Sequence, residues 1–150
     1  MKISSLIVSV LYFVGLGIAL ANDIPPTDGQ PLSKILYALE SREGAVITEV
    51  EFDDGKWEIK ILRMGSFEEL YINPKTGATE KRETLRSSIR KLPPDNAKPL
   101  SAIVQAVENR GIGAITEIEF DDGVWEVEFR RDGKKVEMDI DPITGEIIRS

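Results

Sequence analysis

The residues in this chain that could do chemistry are carboxylates. The 150-residue sequence holds 26 Asp and Glu against 19 Lys and Arg, with no Cys and no His, for a net charge of -7. Thiol nucleophiles, disulfides, imidazole acid-base catalysis and ordinary zinc sites are therefore excluded. The negative balance also argues against a nucleic-acid partner, because phosphate affinity comes from clustered Lys and Arg. Clustered acids could ligate Ca²⁺, which prefers oxygen, or could supply a glycosidase pair facing across a cleft. The order is wrong for an EF-hand, since Asp121-Asp122-Gly123 and Asp139-Ile140-Asp141-Pro142 lack the spaced ligand loop ending in Glu. Ser33 and Ser101 have no base partner in sequence, and no Gly-rich phosphate loop is present. No catalytic residue, metal ligand or cofactor is assigned.

The elements that carry these acids occur twice. Residues 47–59 read Ile-Thr-Glu-Val-Glu-Phe-Asp-Asp-Gly-Lys-Trp-Glu-Ile, and residues 115–127 repeat the pattern. Aligning each residue with the one 68 positions on makes 24 of the 50 positions from 31 to 80 identical without a gap. Each copy is two alternating strands joined by an Asp-Gly turn, a strong hairpin signal. A two-residue loop sets Phe52 opposite Trp57, Val50 opposite Ile59 and Thr48 opposite Ile61. The second copy pairs Phe120 with Trp125, Ile118 with Val127 and Thr116 with Phe129. A third strand follows from Asp132-Gly133, setting Phe129, Val127 and Trp125 opposite Val136, Met138 and Ile140. The first copy does the same less cleanly through Met64-Gly65, because Glu68 falls opposite Ile61.

Before each hairpin, apolar residues recur at helical spacing: Leu32, Ile35, Leu36 and Leu39, then Leu100, Ile103, Val104 and Val107. Ser33 and Ser101 read as N-caps. The expected fold is α+β, two tandem repeats of one helix packed on a small antiparallel sheet, in the order helix-β-β-β. Tails at 78–81 and 146–149 offer a further short strand.

If the helix covers the Trp face, alternation sends the acids to the opposite face. In the second repeat that face presents Glu117, Glu119, Asp121, Glu126, Glu128, Glu137 and Asp139. In the first it carries Ile47, Leu62, Phe67 and Tyr71 among Glu49, Glu51, Glu58, Lys60 and Glu69. Like charges packed side by side cost stability, and apolar residues on a solvent face suggest a contact. The residues expected to meet a partner are Leu62, Phe67 and Tyr71 together with Glu117, Glu119, Glu126, Glu128, Glu137 and Asp139.

Residues 1–21 have one charge at Lys2, an apolar run from Leu6 to Leu20 and Ala19-Leu20-Ala21 at the end, the pattern of a cleavable export signal. Cleavage would leave a chain of charge -8 from Asn22, outside the cytoplasm and without stable membrane insertion. Residues 22–30 read as a turn-rich leader, 31–80 as the first repeat and 99–149 as the second. Between them, 81–98 form a basic linker in which Leu85, Ile89 and Leu92 have helical spacing; it reads equally as a docked helix or a solvated connection.

The motifs Pro-Leu-Ser, Ile-Thr-Glu-Ile-Glu-Phe-Asp-Asp-Gly-x-Trp-Glu-Val and Asp-Pro-x-Thr-Gly-Glu, here spanning Pro99 to Glu146, resemble the PepSY family. The first copy departs in Met64, Phe67, Leu70, Tyr71 and Asn73. The resemblance implies a helix on an antiparallel sheet, a periplasmic or secreted location, and a role in binding or inhibiting peptidases or modulating envelope sensors, with no catalytic residues to carry over. The expected function is a non-enzymatic protein-binding module whose partner is an unidentified envelope protein, a peptidase or a sensor. The alternative is a cation-binding or cation-sensing protein using the acidic face of the second repeat.

Overall fold

In the computed structural model, residues 23–86 and 91–150 are described; the export signal expected at 1–21 and Ile89 of the linker lie outside them. The chain runs α1 (Leu32–Glu43), β1 (Val46–Asp53), β2 (Lys56–Arg63), β3 (Ser66–Ile72), β4 (Thr79–Thr84), α2 (Leu100–Asn109), β5 (Ala114–Asp121), β6 (Val124–Arg131), β7 (Lys134–Ile140) and β8 (Ile147–Arg149). Each repeat is thus a helix and four strands, the tails supplying the fourth. Strand β4 extends through Thr84, into residues read as linker. The described part of 85–92 is neither helix nor strand.

All strands form one antiparallel sheet in the order β4-β3-β2-β1-β5-β6-β7-β8. Each repeat alone would leave β1 or β5 as an exposed edge, and pairing the two edges satisfies both. Val50 lies opposite Ile118, its own counterpart 68 positions on, flanked by Glu49 opposite Glu119 and Glu51 opposite Glu117. The repeats are therefore related by a local two-fold axis through the Val50–Ile118 pair.

Both helices cover one face. Leu36 and Val104 are fully buried in a single core with Val50, Ile59, Ile118 and Val127. Trp57 and Trp125 are 2% and 1% exposed, and each meets the Phe opposite it edge-on, with ring centroids 4.9 and 5.1 Å apart. The Trp residues are core packing, as their register requires.

Two expectations need correction. Thr48 and Thr116 do not stand opposite Ile61 and Phe129, because each is the extra residue of a β-bulge; Ile47 and Ile115 take those places. The Thr hydroxyls donate to the carbonyls of Lys60 and Glu128 at 3.2 and 3.5 Å. A bulge resets alternation, so Ile47 turns into the core and leaves the outer face.

Ser33 and Ser101 are not N-caps either. Pro31 and Pro99 hold those positions, with no side-chain cap bond. The Ser33 backbone N–H and hydroxyl donate to Glu108 at 3.1 and 2.5 Å, and those of Ser101 to Glu40 at 3.2 and 2.5 Å. Each helix start is satisfied by a carboxylate from the other helix, where the macrodipole also favours negative charge.

Candidate docking face

Because both helices lie on one side, no helix or strand among the described residues covers the other side of the sheet, and the β1–β5 seam makes it continuous. Reading across the strands, one row runs Glu83, Glu69, Lys60, Glu49, Glu119, Glu126, Asp139 and Arg149. The next runs Lys81, Tyr71, Glu58, Glu51, Glu117, Glu128 and Glu137. The acidic face expected on the second repeat thus joins, across the seam, the acids expected on the same face of the first. Glu49, Glu51 and Glu58 belong to it. The sequence signal was present in their identity with Glu117, Glu119 and Glu126, but the pairing that unites them was not.

Crowding shows in the proton affinities. Burial, then the charges of Asp53 and Glu49, raises Glu51; burial, then Glu128 and Glu51 across the seam, raises Glu117. Glu58 is raised by burial and then Glu69, and Glu126 by burial and then Asp121 and Asp139. Each shift means that the charged form is disfavoured where it stands.

Counter-charges sit within the rows and at their ends. Lys60 binds both Glu49 oxygens at 2.9 Å. Lys135 lies 2.8 Å from Glu128 and 3.3 Å from Glu137, and Arg149 lies 3.0 Å from Asp139. From the connector, Lys91 pairs with Asp121. Glu117, Glu119, Glu126, Glu128, Glu137 and Asp139 line one shallow depression of 210 Å³, so the structure brings the six acids of the expected site together.

The three apolar members do not form one patch. Leu62 and Phe67 are cross-strand partners. Leu62 also shares a recess with Leu92, Pro93 and Pro94 of the connector. Tyr71 is embedded in the charged rows: its hydroxyl lies 3.2 and 3.3 Å from Glu69 and Glu83 carboxylate oxygens, which share its single proton, and Lys81 sits 5.1 Å over its ring. Burial and then the charges of Glu69 and Glu83 push its phenol up to about 12. At the positions of Leu62 and Phe67 the second repeat has Arg130 and Lys135.

For the cation alternative, the described residues contain no group of three His, Cys, Asp or Glu side chains placed to hold a metal ion. The acids stand in ladder rows, not around a point.

Fold and face together define a duplicated α+β module whose two helices cover one side of a single antiparallel sheet, with the acidic rows on the other. The chain belongs to the PepSY family: a family model described as "Peptidase propeptide and YPEB domain" matches residues 5–83 and again 89–150. Domains of this family are generally non-catalytic, and its proteins are typically exported. No curated protein matches. Among solved structures, a protein from Clostridium difficile 630 described as a candidate lipoprotein matches with a TM-score of 0.44 and 13% identity, over 88% of this chain and 95% of that one. No helix among the described residues is long and apolar enough to cross a membrane.

Proposed function

We propose that this protein is a non-enzymatic periplasmic or secreted binding module that engages a basic segment of an envelope protein, a peptidase or a sensor, through the open face of its sheet. The observation that carries this reading is the pair of acidic rows crossing the β1–β5 seam, which no helix or strand of the described residues covers. Four carboxylates there are held above their ordinary proton affinity. Burial is the larger cause of those shifts and the neighbouring carboxylates the next; a cationic partner offsets the second and pairs the buried charges. Leu62 and Phe67 sit beside the acids and offer an apolar anchor at the rim, the combination that gives an electrostatic contact specificity.

The test is capture of partners from an envelope extract by the immobilised protein, compared with two variants. Glu51→Lys/Glu117→Lys reverses the seam and should abolish capture; Phe67→Ser should weaken it while leaving its salt sensitivity intact. Equal capture by wild type and the seam variant would overturn the reading, provided both melt as cooperative folded proteins.

A further inference from the structure

The two repeats differ at the C-terminal end of their helices, on the covered side of the sheet. In the first repeat that end is closed by charge. Glu68 accepts from Arg63 at 3.0 and 3.1 Å and from Arg82 at 2.7 Å, and Arg82 also donates to Glu43 at 2.8 Å. The positions 68 residues on are Arg131 for Arg63, Val136 for Glu68, Ser150 for Arg82 and Gly111 for Glu43. Three of the four closing side chains are missing, and α2 ends at Asn109, before the position equivalent to the last residue of α1. What remains is a recess of 840 Å³ over Ile112, Val136, Met138 and Ile147, with two cations, Arg110 and Arg131, against one acid, Glu146, on its lining.

Two further features point to an occupant. Neither Arg110 nor Arg131 has an ion pair among the described residues, although the chain carries net charge -7. Beside the recess, β8 is the outermost strand of the sheet. The opposite edge, β4, reads Thr-Glu-Lys-Arg-Glu-Thr and is guarded by charge in the usual way. β8 reads Ile-Ile-Arg, and its Ile148 is 59% exposed. One edge is defended by charge; the other exposes Ile148, carries no further strand among the described residues and lies next to a hollow.

We propose that β8 and this recess bind an extended peptide as a ninth strand, with a large apolar side chain entering the recess and an adjacent carboxylate held by Arg110 and Arg131. Main-chain bonds to the free side of β8 supply register, the floor takes the apolar group, and the arginines select an acid. This surface lies at the end of the sheet and on its other side from the acidic face, and selects the opposite charge.

The probe is a short fluorescent peptide of alternating Val and Thr with one Phe-Glu pair, titrated by anisotropy into the intact protein. Expected are saturable binding, amide shifts at Ile147–Arg149, and a loss of about tenfold or more when the peptide Glu becomes Gln or when Arg131→Gln is used. Val136→Glu, which restores beside Arg131 the acid that the first repeat keeps, should close the recess and remove binding. Glu51→Gln/Glu117→Gln should leave it unchanged, which separates this site from the acidic face. No saturation at millimolar peptide, or binding indifferent to both Arg131→Gln and Val136→Glu, overturns the proposal. So does displacement of the peptide by a second copy of the chain, seen as a dimer that Val136→Glu dissolves, or by decanoate without loss in Arg131→Gln.

Discussion

A carboxylate on the core side of a sheet persists only where it is neutralised, and Glu68 is the case in point. It is 7% exposed and stands opposite Ile61, so alternation alone marks it as misplaced. Arg63 and Arg82 supply three hydrogen bonds, and the bond from Arg63 is the leading cause that holds its carboxyl below the ordinary value of 4.5. A depressed folded value means that its contribution is present above 4.5 and is lost as pH falls below it. Glu68→Gln should lower stability at neutral pH by roughly 1–3 kcal/mol and flatten the acid limb of the stability curve. Urea melts between pH 3 and 7 read both effects; an unchanged acid limb would show that Glu68 does not hold its proton affinity through these arginines.

Among the elements, the hairpins and helices follow from local pattern, but the helix starts do not. Ser33 and Ser101 have the residue type of a cap and the position of a first-turn donor, because Pro31 and Pro99 already fix the entry to each helix. Their groups are instead satisfied across the two-fold axis by Glu108 and Glu40. Each bond set joins one repeat to the other, so its loss should weaken the union as well as the helix. Glu40→Gln and Glu108→Gln should each cost about 1–2 kcal/mol, and their double variant should show the same two-state transition at lower denaturant. If the double variant instead melts in two steps, these bonds are what makes the repeats one cooperative unit.

At the scale of the molecule, joining β1 to β5 sets like charges against each other. Glu51 faces Glu117 and Glu49 faces Glu119. A raised folded value gives the reverse of Glu68: the native state holds extra protons just above 4.5, and stability declines as pH rises through that window. Replacing Glu51 and Glu117 by Gln should therefore stabilise the protein at neutral pH by about 0.2–1 kcal/mol, less where exposure of Glu51 lets solvent screen it. The gain should shrink in high salt. A melting temperature below wild type at low salt would mean that the seam acids are bound to something in the free protein.

Local chemistry was enough to write the duplication, the Asp-Gly turns, the burial of both Trp residues and the outward direction of Glu117, Glu119, Glu126, Glu128, Glu137 and Asp139, since a period of two and a turn of two residues set each hairpin by themselves. The bulges at Thr48 and Thr116 escaped because a bulge changes the count without changing residue types, and so Ile47 was read as outward. Tertiary structure alone decided that two edge strands meet, that two faces are one, and that the recess beside β8 is closed in one repeat and open in the other. Those outcomes depend on which unpaired edges and orphan donors find each other across the chain, and a contact between residues 50 and 118 leaves no mark in the neighbours of either.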